Sequence, residues 1–266
     1  MNAIERQIVA HLRVMAQNYG ATGVKAEFEA EGTTLEEFNR LSRLAASANL
    51  GMTLKIGGAE DVWGILQGRL AGASGIVAPM VESPYALSKF VAAVQKHVPD
   101  DEREEILLAV NVETGLAYDN LDAILGEAKR GGLDAVTLGR VDFVGSLGLG
   151  RNKIESQEIF TITEDICSRV KKAGLCMTMG GSIEVGTLPV IRKLADQKLL
   201  DRFETRKIIF GIDTASDRGV YEDAIRAAHL FECLWLDNLK TLYTARVNQH
   251  AERIPLLRKR IAVTGE

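Results

Sequence analysis

Short apolar runs bounded by glycine, proline or polar turns recur along the chain, and each predicts a β-strand: residues 23–29 (GVKAEFE), 52–56 (MTLKI), 75–79 (GIVAP), 107–112 (LLAVNV), 134–138 (DAVTL), 175–179 (LCMTM) and 207–211 (KIIFG). Helical periodicities lie between them. Leu35, Phe38, Leu41 and Ala45 share one face over 35–48, and Ile159, Ile162, Ile166 and Val170 do so over 158–173. Strand starts fall roughly 30 residues apart, the length of one strand plus a crossover helix, and the order is βαβα throughout. That rhythm predicts an α/β fold, one closed parallel (β/α)8 barrel of the TIM type rather than two smaller domains.

Seven strands are visible where such a barrel has eight. Residues 2–18 place Ile4, Ile8, Leu12 and Met15 on one helical face, so the first strand is expected to be modified, disguised or missing. The tail from Tyr221 to Arg246 is helical and carries Leu230, Leu234, Trp235 and Leu239, more apolar side chains than one barrel helix needs. It reads either as an oligomer contact or as a helix capping its own barrel. The expected organisation is a single barrel domain over 1–266: an N-terminal helix in 1–20, the barrel core in 21–215 and C-terminal helices in 216–266.

Strand parity then sorts side chains. Outward positions of a parallel barrel pack beneath helices and must be apolar, whereas inward positions near the C-terminal mouth can be polar. Val24, Ala26 and Phe28 therefore face the helices and turn Lys25, Glu27 and Glu29 inward. Met52, Leu54 and Ile56 do the same for Thr53 and Lys55, and Leu108, Val110 and Val112 for Asn111 and Glu113. Thr178 is placed inside and Asp213 at the mouth. Ionisable groups are rarely buried without partners, so so many inward charges call for a ligand, a metal or one another. For Lys25 and Glu27, the deeper pair, a buried ion network is an equal alternative.

Composition adds exclusions. With 46% hydrophobic and 26% charged residues in 266, the chain is an ordinary globular protein. A net charge of −4 with no basic block removes nucleic acid and anionic membranes as partners. Cys167, Cys176 and Cys233 are odd in number and widely spaced, which suits neither a disulfide framework nor a zinc site and fits a reducing cytoplasm. Glu5, Arg6, His11 and Arg13 interrupt the start of the chain, and no 18-residue apolar run occurs, so a cytoplasmic protein is expected.

The sharpest chemistry lies in 107-LLAVNVETGLAYDNLDAIL-125 and 134-DAVTLGRVDFVGSLGLG-150, each with an acid just past a strand, Glu113 and Asp142. Two carboxylates with positions left for water and substrate make the oxygen-rich octahedral site that Mg²⁺ or Mn²⁺ prefers. Either acid is equally an ordinary helix cap or ion-pair partner.

These stretches resemble the HpcH/HpaI aldolase and citrate lyase β-subunit family, a branch of the phosphoenolpyruvate/pyruvate barrel superfamily. Asn111, Glu113, Thr114, Ala117 and Asn120 follow the family's strand ending in hydrophobic-Gln-hydrophobic-Glu-Thr with its following Ala and Asn. Gly139, Asp142 and Gly148 follow its Gly-Pro-x-Asp-Leu-Ser motif and the glycine after it, and 76-IVAPMVES-83 is similar to its Pro-Met-Val strand. The resemblance runs from about Gly23 to about Thr214. It implies a divalent metal, Mg²⁺ or Mn²⁺, held by Glu113 and Asp142 and chelating the carboxylate and keto oxygens of pyruvate, oxaloacetate or a related 2-oxo acid, with Asn111 and Gly139 beside the substrate. The metal would act as a Lewis acid on the ketone as an enolate forms. The resemblance also implies a homo-oligomer, a hexamer or trimer of dimers, with helices exchanged between neighbours.

Three positions depart from the family pattern. Lys55 stands where an Arg binds the substrate carboxylate, keeping the charge and losing the bidentate fork. Ala30 follows Glu29 where a catalytic His is expected, and none of His11, His97, His229 or His250 lies at a predicted strand end, which leaves proton transfer to Glu29, Glu31 or a metal-bound water, or a reaction that needs no such base. Arg140 replaces a proline beside the metal; it either binds a second anionic group or faces solvent. Gly180, Gly181 and Ser182, before a helical run, form either an anion pocket at a helix N-terminus or an ordinary cap. The glycines of 145-GSLGLGR-151 lack the dinucleotide spacing and read as a mobile rim loop. The expected catalytic set is Lys55, Glu29 and Arg140. The expected function is a divalent-metal-dependent carbon–carbon lyase, aldolase or synthase; the alternatives are a Schiff-base aldolase using Lys55, an inward lysine whose pKa burial can lower, and a non-catalytic metabolite-binding barrel.

Overall fold

Eight strands close into one barrel in chain order, β1 (Ala21–Glu27), β2 (Gly51–Lys55), β3 (Gly75–Ala78), β4 (Leu107–Val112), β5 (Ala135–Gly139), β6 (Cys176–Gly180), β7 (Arg202–Glu204) and β8 (Ile208–Gly211). The structure is a computed structural model and describes residues 1–212 and 218–263. The helices are α1 (Ala3–Asn18), α2 (Leu35–Ser47), α3 (Val62–Leu70), α4 (Pro84–His97), α5 (Asp100–Arg103), α6 (Gly115–Asp119), α7 (Leu121–Gly131), α8 (Arg140–Ser146), α9 (Gln157–Lys172), α10 (Leu188–Asp196) and α11 (Tyr221–Val263). Local signals set their starts. Thr34 and Glu37 form a reciprocal capping box at α2, Ser83 caps α4 with Pro84 in its first turn, and Ser156 caps α9.

The strand hidden in the sequence is β7, not the first. The run read at 23–29 is β1 itself, and β7 has only three residues, Arg-Phe-Glu, too few to show a period. The parallel order also fails at the closure. β1 to β7 are parallel, but β8 is antiparallel to both β7 and β1. No crossover helix joins β7 to β8: Thr205 N–H donates to Ile208 O at 3.0 Å and Ile208 N–H to Thr205 Oγ1 at 3.2 Å, closing a tight hairpin around Arg206 and Lys207. Lys207 therefore lies at the mouth, its carbonyl accepting from Lys25 N–H, while β8 runs away to Gly211, which donates to Gly20 O where β1 begins. Asp213, placed at the mouth by the sequence, lies outside the described residues.

Inside the barrel the side chains change character with depth. Val77, Ala109 and Ala135 form a small apolar layer, and two residues further along β4 and β5 Asn111 and Thr137 begin the polar layer above it. Outward positions Val24, Ala26, Met52, Leu54, Leu108, Val110 and Val112 are buried beneath the helices.

The tail is one helix rather than several. At 43 residues α11 extends roughly 65 Å at 1.5 Å per residue. Its first half caps its own barrel: Tyr221, Ile225, Ala228, Phe231 and Trp235 are buried along one stripe, Tyr221 donates its hydroxyl proton to Ile212 O, and Asn2 donates to Asn238 Oδ1 at 2.8 Å. Leu234 and Leu239 pack against the same core, whereas Leu230 is exposed. The second half is different, with Tyr243, Val247, Ile254, Leu256, Leu257 and Ile261 all exposed. No described helix is long and apolar enough to cross a membrane.

Candidate active site

A cavity of about 430 Å³ opens at the C-terminal ends of the parallel strands, within the range of small-ligand sites. Its floor carries Lys25, Glu27, Lys55, Asn111, Glu113, Thr137 and Glu204. Its rim carries Ala30, Gly139, Asp142, Arg151, Gly180, Gly181, Ser182, Arg206, His229 and Glu232.

Lys25 is locked between two carboxylates, 2.5 Å from Glu204 Oε1 and 3.0 Å from Glu27 Oε1. Burial alone would lower its pKa, but Glu204 and Glu27 outweigh it and hold the ammonium well above its ordinary value. Lys55 lies 3.1 Å from Glu29 Oε2 and 3.8 Å from Glu113 Oε2. Burial lowers its pKa, yet Glu113, Glu27 and Glu29 together raise it above its ordinary value, which favours the ammonium over the neutral amine that a Schiff-base nucleophile must be. The expectation that burial would depress this lysine is thereby corrected.

Glu113 is held by the loops around it. Met80 N–H donates to Oε1 and Asn111 Nδ2 donates to Oε2, each at 2.9 Å. Met80 reaches this geometry with φ 51°, the left-handed region, costly for a side chain of its size. Thr114 caps α6 by accepting from Ala117 N–H and donates to Glu82 Oε1 at 2.7 Å, and Asn120 Nδ2 donates to Glu82 O at 2.8 Å. The Glu-Thr-Ala-Asn pattern thus ties the turn after β4 to the Pro-Met-Val segment after β3. Asp142 sits in the first turn of α8, and its charge adds to the burial that pushes the Glu113 carboxyl up, against the lowering by Lys55, Asn111 and Met80.

The cavity lining carries five carboxylates, Glu27, Glu113, Asp142, Glu204 and Glu232, and four cations, Lys25, Lys55, Arg151 and Arg206, so its charges nearly balance. Among the described residues no cluster of three or more His, Cys, Asp or Glu side chains is arranged to hold a metal. The donors present fit a two-carboxylate oxygen site on Glu113 and Asp142 whose other positions go to water or substrate.

Gly139 backs this site. A Cβ there would stand 2.5 Å from Glu113 Oε2 and 3.0 Å from Glu113 Cβ. The carboxylate cannot retreat without losing Met80 or Asn111, so Gly139→Ala is expected to weaken any Mn²⁺ binding by Glu113 about 10–100-fold, read by calorimetric titration.

Two expectations change in position. Arg140 is 1% exposed and does not line the cavity. Because α8 starts at Arg140 itself, its side chain is drawn beneath the loop, donating to Glu155 Oε1 at 3.1 Å and Gly181 O at 3.0 Å. Arg151, just after the glycine segment, is the arginine at the rim. Gly180, Gly181 and Ser182 do line the cavity, but α10 begins only at Leu188, so they are not a helix N-terminus. Gly181 instead permits close packing: at φ 84°, its Cβ would fall 2.7 Å from Arg140 N. Glu29 holds Lys55, and Glu31 is paired with Lys207.

Sequence reasoning missed Thr137, Glu204, Arg151, Arg206, His229 and Glu232 as cavity residues. Parity would have found Glu204 had β7 been visible; nothing local in the sequence brings His229 on α11 to the mouth.

The model of the HpcH/HpaI aldolase/citrate lyase family matches residues 38–181. The chain belongs to this family. It is accordingly an enzyme of the aldolase/lyase type, and the match spans β2 to β6 with Glu113 and Asp142, while Lys25, Glu29, Glu204 and His229 lie outside it. A search of curated proteins finds no match. Among solved structures, an HpcH/HpaI aldolase from Desulfitobacterium hafniense DCB-2 is similar at TM-score 0.60 and 19% identity, covering 74% of this chain and 81% of that one. An HpcH/HpaI aldolase/citrate lyase family protein from Burkholderia cenocepacia J2315 gives 0.59 and 16%, covering 77% and 93%. Citrate synthase SbnG gives 0.61 and 19%, covering 88% and 90%. At these identities the likeness is one of fold.

Proposed function

We propose that the protein is a divalent-metal-dependent carbon–carbon lyase, aldolase or synthase acting on a 2-oxo acid such as pyruvate or oxaloacetate through an enolate. The observation that carries this reading is the convergence of Glu113, Asp142, Lys55 and Asn111 on one cavity. Mg²⁺ or Mn²⁺ held by Glu113 and Asp142 supplies Lewis-acid stabilisation of the charge that develops on the 2-oxo oxygen. Lys55, kept protonated by its carboxylates, binds the substrate carboxylate, and Asn111 orients Glu113 while lining the substrate space. Arg151 takes the part expected of Arg140, a guanidinium at the rim for a second anionic group. The enzyme works as a homo-oligomer, a hexamer or trimer of dimers as the family resemblance implies, and the exposed apolar residues in the second half of α11 support that assembly. Its free cysteines suit the cytoplasm.

The test is exchange of the pyruvate methyl protons with deuterated water, followed by NMR. Exchange should vanish on chelation and return with Mg²⁺ or Mn²⁺; exchange indifferent to chelator overturns the reading. Lys55→Met should raise the KM for the 2-oxo acid about 10–100-fold, the worth of a charge-assisted hydrogen bond, and borohydride should trap no substrate on Lys55 in the wild type.

A further inference from the structure

We propose that His229 is the residue that moves the proton at C3 of the 2-oxo acid, an assignment that rests on the enolate reading above. The other ionisable cavity groups, Glu232 apart, are committed. Lys25 is held by Glu27 and Glu204, Lys55 by Glu29, and Glu31, behind the rim, by Lys207 and by Arg206 at 3.7 Å. Glu113 and Asp142 form the carboxylate pair, and the guanidinium of Arg151 does not deprotonate. Ala30 borders the same space and has no proton to give or take.

His229 is the one imidazole among the described residues that lines this cavity. His11 is bonded through its ring to Ala227 O at 2.8 Å, and His97 and His250 lie elsewhere, on α4 and the exposed half of α11. His229 is exposed and, among the described residues, its ring has no hydrogen-bond partner. Imidazole is also the side chain whose ordinary pKa lies nearest neutrality. Its backbone is fixed, because the bond from His11 is made two residues away and Ala228 and Phe231 are buried on either side. Glu232, three residues on, shares the helix face and also lines the cavity, where it can receive the second ring N–H.

In the step, neutral His229 takes a proton from the C3 methyl, the C–H electron pair forms the C2–C3 double bond, and the carbonyl pair moves onto the 2-oxo oxygen. Attack of C3 on a carbonyl acceptor forms the new carbon–carbon bond, and the imidazolium returns its proton to the resulting alkoxide. Cleavage is the reverse.

Decarboxylation of oxaloacetate separates this role from the rest of the site. Loss of CO2 leaves the electron pair of the breaking bond on C3 and needs no base to begin. Full-length, Mn²⁺-loaded His229→Gln should therefore lose at least about 100-fold in pyruvate methyl exchange, as for removal of a general base. It should decarboxylate oxaloacetate within about threefold of wild type and bind oxalate, an enolate mimic, with unchanged affinity by calorimetry. Added imidazole should restore part of the exchange to His229→Gly. Exchange in His229→Gln within about threefold of wild type overturns the inference, as does parallel loss of exchange, decarboxylation and oxalate binding, which marks a structural role. A wild-type protein inert in both reactions overturns the enolate reading itself and this assignment with it.

Discussion

Replacement of Glu113 by glutamine is expected to remove the metal response of the protein while leaving the metal-free fold at least as stable as the wild type. The first half follows from donor count: with one of two carboxylates gone, the remaining acid, Asp142, holds a divalent cation alone, and activity should fall by about 10³-fold or more, the scale of losing a central electrostatic stabiliser. The second half follows from protonation. Burial raises the Glu113 pKa above its ordinary value, so the folded state holds this proton more tightly than the unfolded chain does. Such a group favours folding below the unfolded carboxyl's pKa, and that contribution is lost as pH rises through the higher folded value. Above that range the buried carboxylate costs the metal-free wild type stability that the uncharged glutamine does not lose.

Thermal unfolding with and without metal reads both halves. A cation present at about 100 times its dissociation constant stabilises the wild type by about 2.7 kcal/mol. For a chain of this size that is a rise of about 5–10 °C in Tm. Glu113→Gln should show no rise, and its metal-free Tm should equal or exceed that of the wild type. Asp142→Asn should lose the rise without gaining metal-free stability, because Asp142 is exposed. A Glu113→Gln protein that binds Mn²⁺ as tightly as wild type would falsify the assignment of the site.

Most of the barrel could be read from the sequence because its outward strand positions are apolar and its inward ones turn polar towards the mouth, and parity alone turned Lys25, Glu27, Lys55, Asn111 and Glu113 inward. The same rule was blind to β7, with one apolar residue in three, and to the direction of β8, since an apolar run reads alike both ways. Nor does the hairpin between them announce itself, for Arg206 and Lys207 are not the glycine or asparagine that tight turns favour. The direction of the Lys55 shift was misjudged because burial is visible in one strand's pattern, whereas the three carboxylates that reverse it arrive from β1, the loop after it and the end of β4. Arg140 and Asp142 differ by two positions, and in a strand both would face the same way. Helix α8 begins at Arg140, so about 200° of rotation separates them, and only Asp142 reaches the cavity. His229 reaches the mouth through the packing of α11 against the distant helix α1, which no local pattern encodes.

Lys25→Met is expected to destabilise the fold by about 3–5 kcal/mol, because it strands Glu27 and Glu204 in the barrel without the ammonium that both face. Two limbs of the pH profile identify the cause. The folded Lys25 pKa is raised, so its contribution is present below the unfolded value of about 10.4 and lost as pH rises through the folded one. The folded Glu27 pKa is lowered, by Lys25 and Lys55 against the opposing effect of burial; its contribution is present above about 4.3 and lost as pH falls through the folded value. In Lys25→Met the stranded carboxylates take up protons more readily, so the gap to wild type in urea denaturation should narrow as pH falls. A cost below about 1 kcal/mol at neutral pH would mean that the charges are solvated rather than buried. Replacing the whole triad, Lys25→Met with Glu27→Leu and Glu204→Leu, should recover most of the lost stability, since buried ion clusters are commonly matched by apolar packing. If the triad is scaffold alone, that triple variant keeps Mn²⁺ binding at Glu113 and Asp142. If Lys25 and Glu27 hold substrate, it keeps the metal and loses the 2-oxo acid, because these two residues form part of the floor of the same cavity.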